Sequence, residues 1–288
     1  MPLEDDFCDI VKKARMGQGL SVGDLAQKTG IAAGDITTLE RNGRVPTKAE
    51  VQALAAALKL RAEPLMQVVD GWLPASVPDT MEGLDTVHGS VGGYAVKGYV
   101  LHDGGEAIFV DTAYNAEAML EVLNRRKLTL KAVCLTHGHA DHADGLDVIL
   151  QHHRAPVYIG EADLSLLGWR PPRELIVAAE DGRRIPVGRL AVQCLKTPGH
   201  TPGGICYRVE QGHHEICFVG DTLFAGSIGR ANPFSLYPVH LDSVRRRVVT
   251  LPNDTILLPG HGPATTVAEE LEHNPFVGEL DGATGETR

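Results

Sequence analysis

Thr136-His137-Gly138-His139-Ala140-Asp141-His142 follows directly on the apolar run Ala132-Val133-Cys134-Leu135. Three imidazoles and a carboxylate in so short a stretch supply the nitrogen and oxygen donors that divalent transition metals prefer. The apolar run reads as a buried strand. On a continuing strand His137 and His139 would face one side, and Ala140 and His142 the other. A strand that ends near Leu135 and turns through Gly138 instead lets the four groups converge at its C-terminal end. Asp141 alone could serve as a helix N-cap, but that role leaves three histidines unexplained. The stretch predicts a metal site.

Three later apolar runs end in the same way. Leu195-Lys196-Thr197-Pro198-Gly199 leads to His200, Phe218-Val219-Gly220 leads to Asp221, and Leu257-Leu258-Pro259-Gly260 leads to His261. A glycine before each donor lets backbone come close around a polar centre. Between these runs the pattern reads as strands at 94–101 and 106–111 joined by Asp103-Gly104-Gly105, a helix at 117–126, a helix at 144–151 and a strand at 155–159. A second half repeats the theme, with strands at 190–195, 204–209, 215–219 and 255–258 and a helix at 241–251. Layered α and β elements around one core, in the α+β class, are expected.

With 288 residues, two domains are expected. The net charge of -10 gives no general attraction to nucleic acid or anionic membrane. Five cysteines, none in a C-x-x-C pair and most in apolar runs, read as buried thiols of a reducing compartment. No leader-like or membrane-spanning apolar stretch is evident, so a cytoplasmic protein is expected.

From Asp5 to Leu60 apolar residues recur at helical spacing, interrupted at Gly17 to Gly19, Thr29-Gly30, Asn42-Gly43 and Pro46-Thr47. Ser21 with Asp24 offers a capping box. Leu20 to Ile31 and Ile36 to Pro46 resemble the helix-turn-helix and following loop of the Cro/repressor family. That resemblance implies DNA as a partner. Charge does not reinforce it, because residues 1–63 hold nine Lys and Arg against nine Asp and Glu. The start of the reading helix, Ala32-Ala33-Gly34-Asp35, carries no long donor. Self-association, as in a homodimer, or docking is the other expected use.

His137-x-His139-x-Asp141-His142 with His200, Asp221 and His261 resembles the metallo-β-lactamase fold superfamily. Gly220 to Arg230, Leu258 to Pro263, Thr265-Thr266 and Asn274-Pro275-Phe276 resemble its glyoxalase II-like branch. The resemblance implies an αββα sandwich with the metals at one edge. It implies His137, His139 and His200 on one metal, Asp141, His142 and His261 on a second, and Asp221 bridging them. Asp111 would steady the site without ligating. Two divalent ions, zinc first with iron or manganese as alternatives, would share a hydroxide that attacks a thioester or related small carbonyl substrate. Asp141 and Asp221 are then the catalytic carboxylates, with Arg230 available for a substrate carboxylate.

The resemblance is incomplete. The chain ends about a dozen residues after Phe276, without the basic helical extension of hydroxyacylglutathione hydrolases, and Asn232-Pro233-Phe234-Ser235 departs from the branch. Two other readings stay open: a persulfide dioxygenase with one iron on His137, His200 and Asp221, and a DNA-binding regulator with a metal-containing sensor domain. The expected organisation is a helix-turn-helix domain at 1–65, a linker at 66–84, the sandwich at 85–276 and an acidic flexible tail at 277–288. Phe234, Tyr237 and Trp169 are expected to line the pocket, and His152, His153, His213, His214 and His240 to lie on the surface.

Overall fold

A computed structural model describes residues 1–77, 80–211 and 214–278. The N-terminal part holds α1 (Phe7–Gly17), α2 (Val22–Thr29), α3 (Ala33–Leu39), α4 (Lys48–Leu58) and α5 (Ala62–Val69). The local sequence sets their ends. Ser21 with Asp24 and Thr47 with Glu50 form reciprocal capping boxes that satisfy backbone N–H groups at the starts of α2 and α4. Gly30 closes α2 in the left-handed conformation, with φ 74.

One sheet contains β1 (Thr80–Met81), β2 (Leu84–Val91), β3 (Tyr94–Asp103), β4 (Glu106–Val110), β5 (Thr129–Cys134), β6 (Val157–Ile159) and β7 (Ile176–Ala178). Three helices interrupt it: α6 (Ala116–Arg126), α7 (Ala140–Ala143) and α8 (Leu146–His152). The other sheet contains β8 (Arg184–Val187), β9 (Leu190–Lys196), β10 (Ile205–Gln211), β11 (His214–Gly220), β12 (Ile256–Pro259) and β13 (Thr265–Thr266), with α9 (Tyr237–Ser243) and α10 (Val267–His273). Strand order is sequential in the first sheet and β13-β12-β11-β10-β9-β8 in the second. Pairing turns from antiparallel to parallel between β4 and β5, and again for the one pair β11 and β12.

Strand alternation assigns the layers. Ile108, Val110, Ala132 and Cys134 meet Tyr207, Ile216 and Phe218 between the sheets, while Phe109, Val133 and Leu135 meet Met119, Leu123 and Ile149 of the helices outside. The buried hydroxyls Tyr207 Oη and Tyr99 Oη donate across the sandwich to Leu135 O (2.9 Å) and Pro259 O (2.6 Å), so neither is left unsatisfied. On the far side of the second sheet, Cys206, Cys217, Val219 and Leu257 share one core with Phe7, Ile10, Val11 and Ala14 of α1 and Leu65 and Val68 of α5. The N-terminal helices are thus part of the outer α layer of the sandwich.

Several expected boundaries move. The proposed boundary at 65 falls inside α5, which continues to Val69 because its apolar face joins that shared core. The expected linker also contains β1 and begins β2 at Leu84. Val277, expected in the tail, is buried, and residues 279–288 lie outside the described residues. The expected helix at 241–251 is α9 followed by a wide turn at Val244–Val248. Among the described residues no helix is long and apolar enough to cross a membrane.

Candidate metal centre

The site sits where strands of both sheets end. β5 stops at Cys134, Leu135 and Thr136 carry the chain out, and His139 takes the N-cap position of the one-turn helix α7. That short helix turns His142 inward, fully buried, and leaves Asp141 partly exposed. His200 follows β9, Asp221 follows β11 and His261 follows β12. The structure brings together all seven predicted donors: His137, His139, Asp141, His142, His200, Asp221 and His261. They form overlapping groups, His137/His139/His200, His137/Asp141/His142 and His142/Asp221/His261, with donor atoms inside each group within 4.8 Å of one another.

The other side of each ring shows how the donors are aimed. His142 Nδ1 lies 2.9 Å from Asp111 Oδ2, His200 Nδ1 lies 2.8 Å from Arg230 O, and His261 Nδ1 lies 2.6 Å from Ala95 O. A carbonyl or carboxylate oxygen only accepts, so each Nδ1 carries a hydrogen and each ring turns its Nε2 to the centre. There His142 Nε2 and His261 Nε2 stand 3.3 Å apart, and His200 Nε2 stands 3.0 Å from His139 Nδ1. His137 Nε2 is buried with no hydrogen-bond partner. Ring nitrogens that converge this closely, one of them buried without a partner, are the arrangement a bound cation would satisfy. The donor set fits a metal pair.

Charge points the same way. Burial holds His137 well below its usual range and His200 at about 4, and it lowers His139 as well, so these three rings are neutral imidazoles. Burial also opposes charge on His142 and His261, yet the Asp221 carboxylate, helped by Asp111 at the former and Asp141 at the latter, raises both, His261 to about 9. Asp221, despite burial, is held well below the carboxylate range by His142 and His261. The carboxylates therefore draw positive charge into the cluster, a demand that bound cations meet. Room is kept for it by Gly260, where a Cβ would stand 2.3 Å from His142 Cε1 and 2.7 Å from Asp221 Oδ1.

Asp111 does more than face His142. It also accepts from Thr136 N (2.7 Å) and Thr136 Oγ1 (2.8 Å), fixing the turn that launches His137. Asp163 was not foreseen. Fully buried, it accepts from Gly138 N (3.2 Å), Thr201 Oγ1 (2.6 Å) and Gly203 N (2.7 Å), and so ties the His137–His139 loop to the His200 loop. Its signal in the sequence is one acid shortly after a strand, with every partner far off in the chain.

A cavity of about 540 Å³ opens onto Asp141, His200, Asp221 and His261. Arg230 lies on its wall, exposed, and the aromatic walls are Phe224 and Tyr94. Tyr237 is instead buried against Gly17 of α1, Trp169 stands 42% exposed, and Phe234 is half-buried away from the cavity. His240 is another correction. It is fully buried, donates from Nε2 to Thr222 O (2.8 Å), and burial pushes it down to about 3. His152 is exposed and His153 half-buried, while His213 and the side chain of His214 lie outside the described residues. The remaining cavity wall is Val91 of β2 and, from the N-terminal part, Glu4, Asp5, Asp9, Lys12, Lys13 and Met16.

Comparison with known proteins agrees with this architecture. Residues 91–261 match the metallo-beta-lactamase superfamily and residues 11–65 match a helix-turn-helix family. YqgX of Bacillus subtilis (strain 168), described as a probable metallo-hydrolase, is 31% identical, covering 65% of this chain and 94% of that one. Hydroxyacylglutathione hydrolase GloC of Haemophilus influenzae is 29% identical, covering 61% and 89%. Among solved structures, the B3 metallo-beta-lactamase BLEG-1 superposes with TM-score 0.60 at 29% identity, over 67% of this chain and 99% of that one. ETHE1 of Myxococcus xanthus superposes with TM-score 0.53 at 27% identity, over 66% and 83%. A protein solved in a di-iron-bound form gives 0.56 at 28% identity, over 66% and 100%. The chain belongs to the metallo-beta-lactamase superfamily, as a metal-dependent, hydrolase-like member with a helix-turn-helix fold ahead of the sandwich.

Proposed function

We propose that the protein is a dinuclear metal-dependent hydrolase of a thioester or related small carbonyl substrate. The observation that supports this most is the convergence of ring nitrogens whose opposite nitrogens are already committed to Asp111, Arg230 O and Ala95 O. In this reading His137, His139 and His200 hold one ion, Asp141, His142 and His261 the other, and Asp221 lies between them. Nitrogen and carboxylate donors suit zinc, and iron or manganese are accepted by the same set. Bound divalent cations supply a water that is nucleophilic at neutral pH and polarise a carbonyl.

The chain's own groups do the rest. Asp141, 3.3 Å from His261 Nε2 and facing the cavity, orients the attacking water and takes up its proton. The water oxygen bonds to the carbonyl carbon, the carbon–sulfur bond breaks, and the proton passes to the departing thiolate. Buried Asp111 and Asp163 keep the donor loops from shifting during the reaction. GloC carries a thioester hydrolase name and is the relative behind the choice of substrate class.

Metal content measured by mass spectrometry, beside turnover of a thioester and lactone panel, tests the reading. Two ions per chain and hydrolysis of at least one class is the expected result. Full loading with no turnover would remove it, and one iron with oxygen uptake on glutathione persulfide would replace it with the dioxygenase. His139→Ala is expected to abolish turnover with the far-ultraviolet dichroism unchanged. For the N-terminal helices, DNA is the partner their family implies. The exposed start of α3 offers only Ala32, Ala33, Gly34 and Asp35, and Arg44 is committed to Glu50. Their use in this reading is at the cavity.

A further inference from the structure

The cavity wall that no superfamily feature accounts for is the one made by the N-terminal segment and α1. Its position is fixed by a buried network. Lys13 Nζ donates to Asp5 Oδ2 and to Ile228 O, both at 2.5 Å, and stands 5.4 Å over the Phe224 ring. Ser227 Oγ donates to the same Asp5 oxygen at 2.5 Å. Asp5, Lys13 and the 227–230 loop thus form one unit, and α1 with its leading segment cannot leave the cavity without breaking the buried bonds to Ile228 O and Ser227 Oγ.

Most charges on the wall are committed. Lys13 and Asp5 neutralise each other, Asp9 accepts from the Asp6 N–H at the start of α1, and Asp141, His200, Asp221 and His261 belong to the cluster. Lys12 and Arg230 are different. Both side chains are exposed on the cavity, and among the described residues neither guanidinium nor ammonium has a hydrogen-bond or ion-pair partner. Arg230 is nonetheless held in place, because its carbonyl accepts from His200 Nδ1. Charge therefore grades along the cavity. The buried part holds Asp221 with Glu4 beside Gly262, and the exposed part holds Lys12 and Arg230, both uncommitted, with one acid, Asp9, tied to the start of α1, which leaves that part net positive.

We propose that α1 selects the substrate: Lys12, together with Arg230, holds an anionic arm, carboxylate or phosphate, on the substrate's leaving group while its carbonyl lies at the cluster. This rests on the hydrolase reading. An arm of opposite sign is drawn to the exposed end, and the acids at the buried end keep it from entering backwards. Arg230 supplies a planar fork that matches either anion, and Lys12 a flexible point charge that follows arms of different length. The helix-turn-helix fold then supplies a specificity element.

The test uses the full-length, metal-loaded protein and acetyl thioesters of 3-mercaptopropionate, of 2-mercaptoethyl phosphate and of 3-mercaptopropionamide. kcat and KM are measured for wild type, Lys12→Ala, Lys12→Glu and, as a control for surface charge, Lys48→Glu on α4. Wild type is expected to prefer an anionic arm over the amide, and the better of the two anions identifies the arm. Lys12→Glu should lower that preference at least about tenfold, on the order of 1.4 kcal/mol, through KM with kcat within about twofold. Lys12→Ala should act in the same direction, and Lys48→Glu should retain the preference. A preference unchanged in both Lys12 variants, lost equally in Lys48→Glu, or absent in wild type overturns the proposal while leaving the hydrolase reading intact. No hydrolysis of any of the three thioesters by wild type overturns the proposal, and no hydrolysis of the thioester and lactone panel either overturns the reading on which it rests.

Discussion

Asp163 makes no salt bridge among the described residues, yet it is fully buried and its carboxylate accepts three hydrogen bonds from two ligand-bearing loops. Removing it leaves Gly138 N, Gly203 N and Thr201 Oγ1 without their acceptor in a dry site, where each loss costs about 1–3 kcal/mol. Asp163→Ala is therefore expected to lower metal affinity or kcat by about 10–100-fold with the fold retained. Metal titration monitored by competition with a chromophoric chelator checks this, and wild-type affinity and turnover together would refute the positioning role. Glu270 is a second buried acid. Burial pushes it up to about 8, although Asn274 Nδ2, Thr265 Oγ1 and Gly226 N donate to it. Its folded value lies above the usual 4.5, so the unfolded chain loses the proton first. Its contribution to stability is full below about 4.5 and declines as pH rises towards about 8. Glu270→Gln should flatten the fall in urea midpoint between pH 5 and 8; an unchanged slope would show that another group is responsible. The seven residues that the structure gathers could be picked out in the sequence because each follows an apolar run or shares one short stretch. Asp163 and His240 could not, because what makes them special is burial against residues 25 to 40 positions away in one case and 18 in the other.

At the scale of elements, apolar spacing located most helices and strands within a few residues. It could not distinguish α9 with its wide turn from one continuous helix, since both bury Val244 and Val248. It showed that α1 has a buried face without showing against what. Ile10 illustrates the difference. It is fully buried in a core that contains Leu223, Ile228 and Tyr237 of the sandwich as well as Leu54 and Leu65 of neighbouring helices. Ile10→Ala is expected to cost about 2–5 kcal/mol, a range typical of truncating a packed aliphatic side chain. The loss should appear in the denaturant midpoint of the sandwich as well as in helix signals. A variant whose helices melt early while near-ultraviolet signals of the sandwich hold their midpoint would contradict the shared core.

At the scale of the whole molecule, the helix-turn-helix fold and the αββα sandwich were both legible, but their relation was not. Composition placed a linker between them, and a linker suggests two bodies. The structure instead ties α5 to the C-terminal segment through Arg61 N to Pro275 O (2.9 Å) and Arg61 Nη1 to Leu271 O (2.6 Å), and stacks Trp72 on His273 with centroids 4.7 Å apart. Thermal unfolding is accordingly expected to be a single transition by every probe. A chain lacking residues 1–69 should expose Leu223, Ile228 and Tyr237, now in the shared core, and aggregate. Recovery of a monomeric, fully active truncated protein would contradict this arrangement.

The bonds from Lys13 to Ile228 and from Asp5 to Ser227 span 215 and 222 positions of the chain. At ribosomal rates of about 5–20 residues per second, the partner loop follows α1 out of synthesis by roughly ten to forty seconds. Throughout that interval the nascent helices carry Phe7, Ile10 and Val11 with no second sheet to cover them. Birth of this protein thus includes a waiting period in which the surface of α1, made before its partner loop, is adhesive, and whatever shields that surface in the cell decides how much of the chain reaches its finished form.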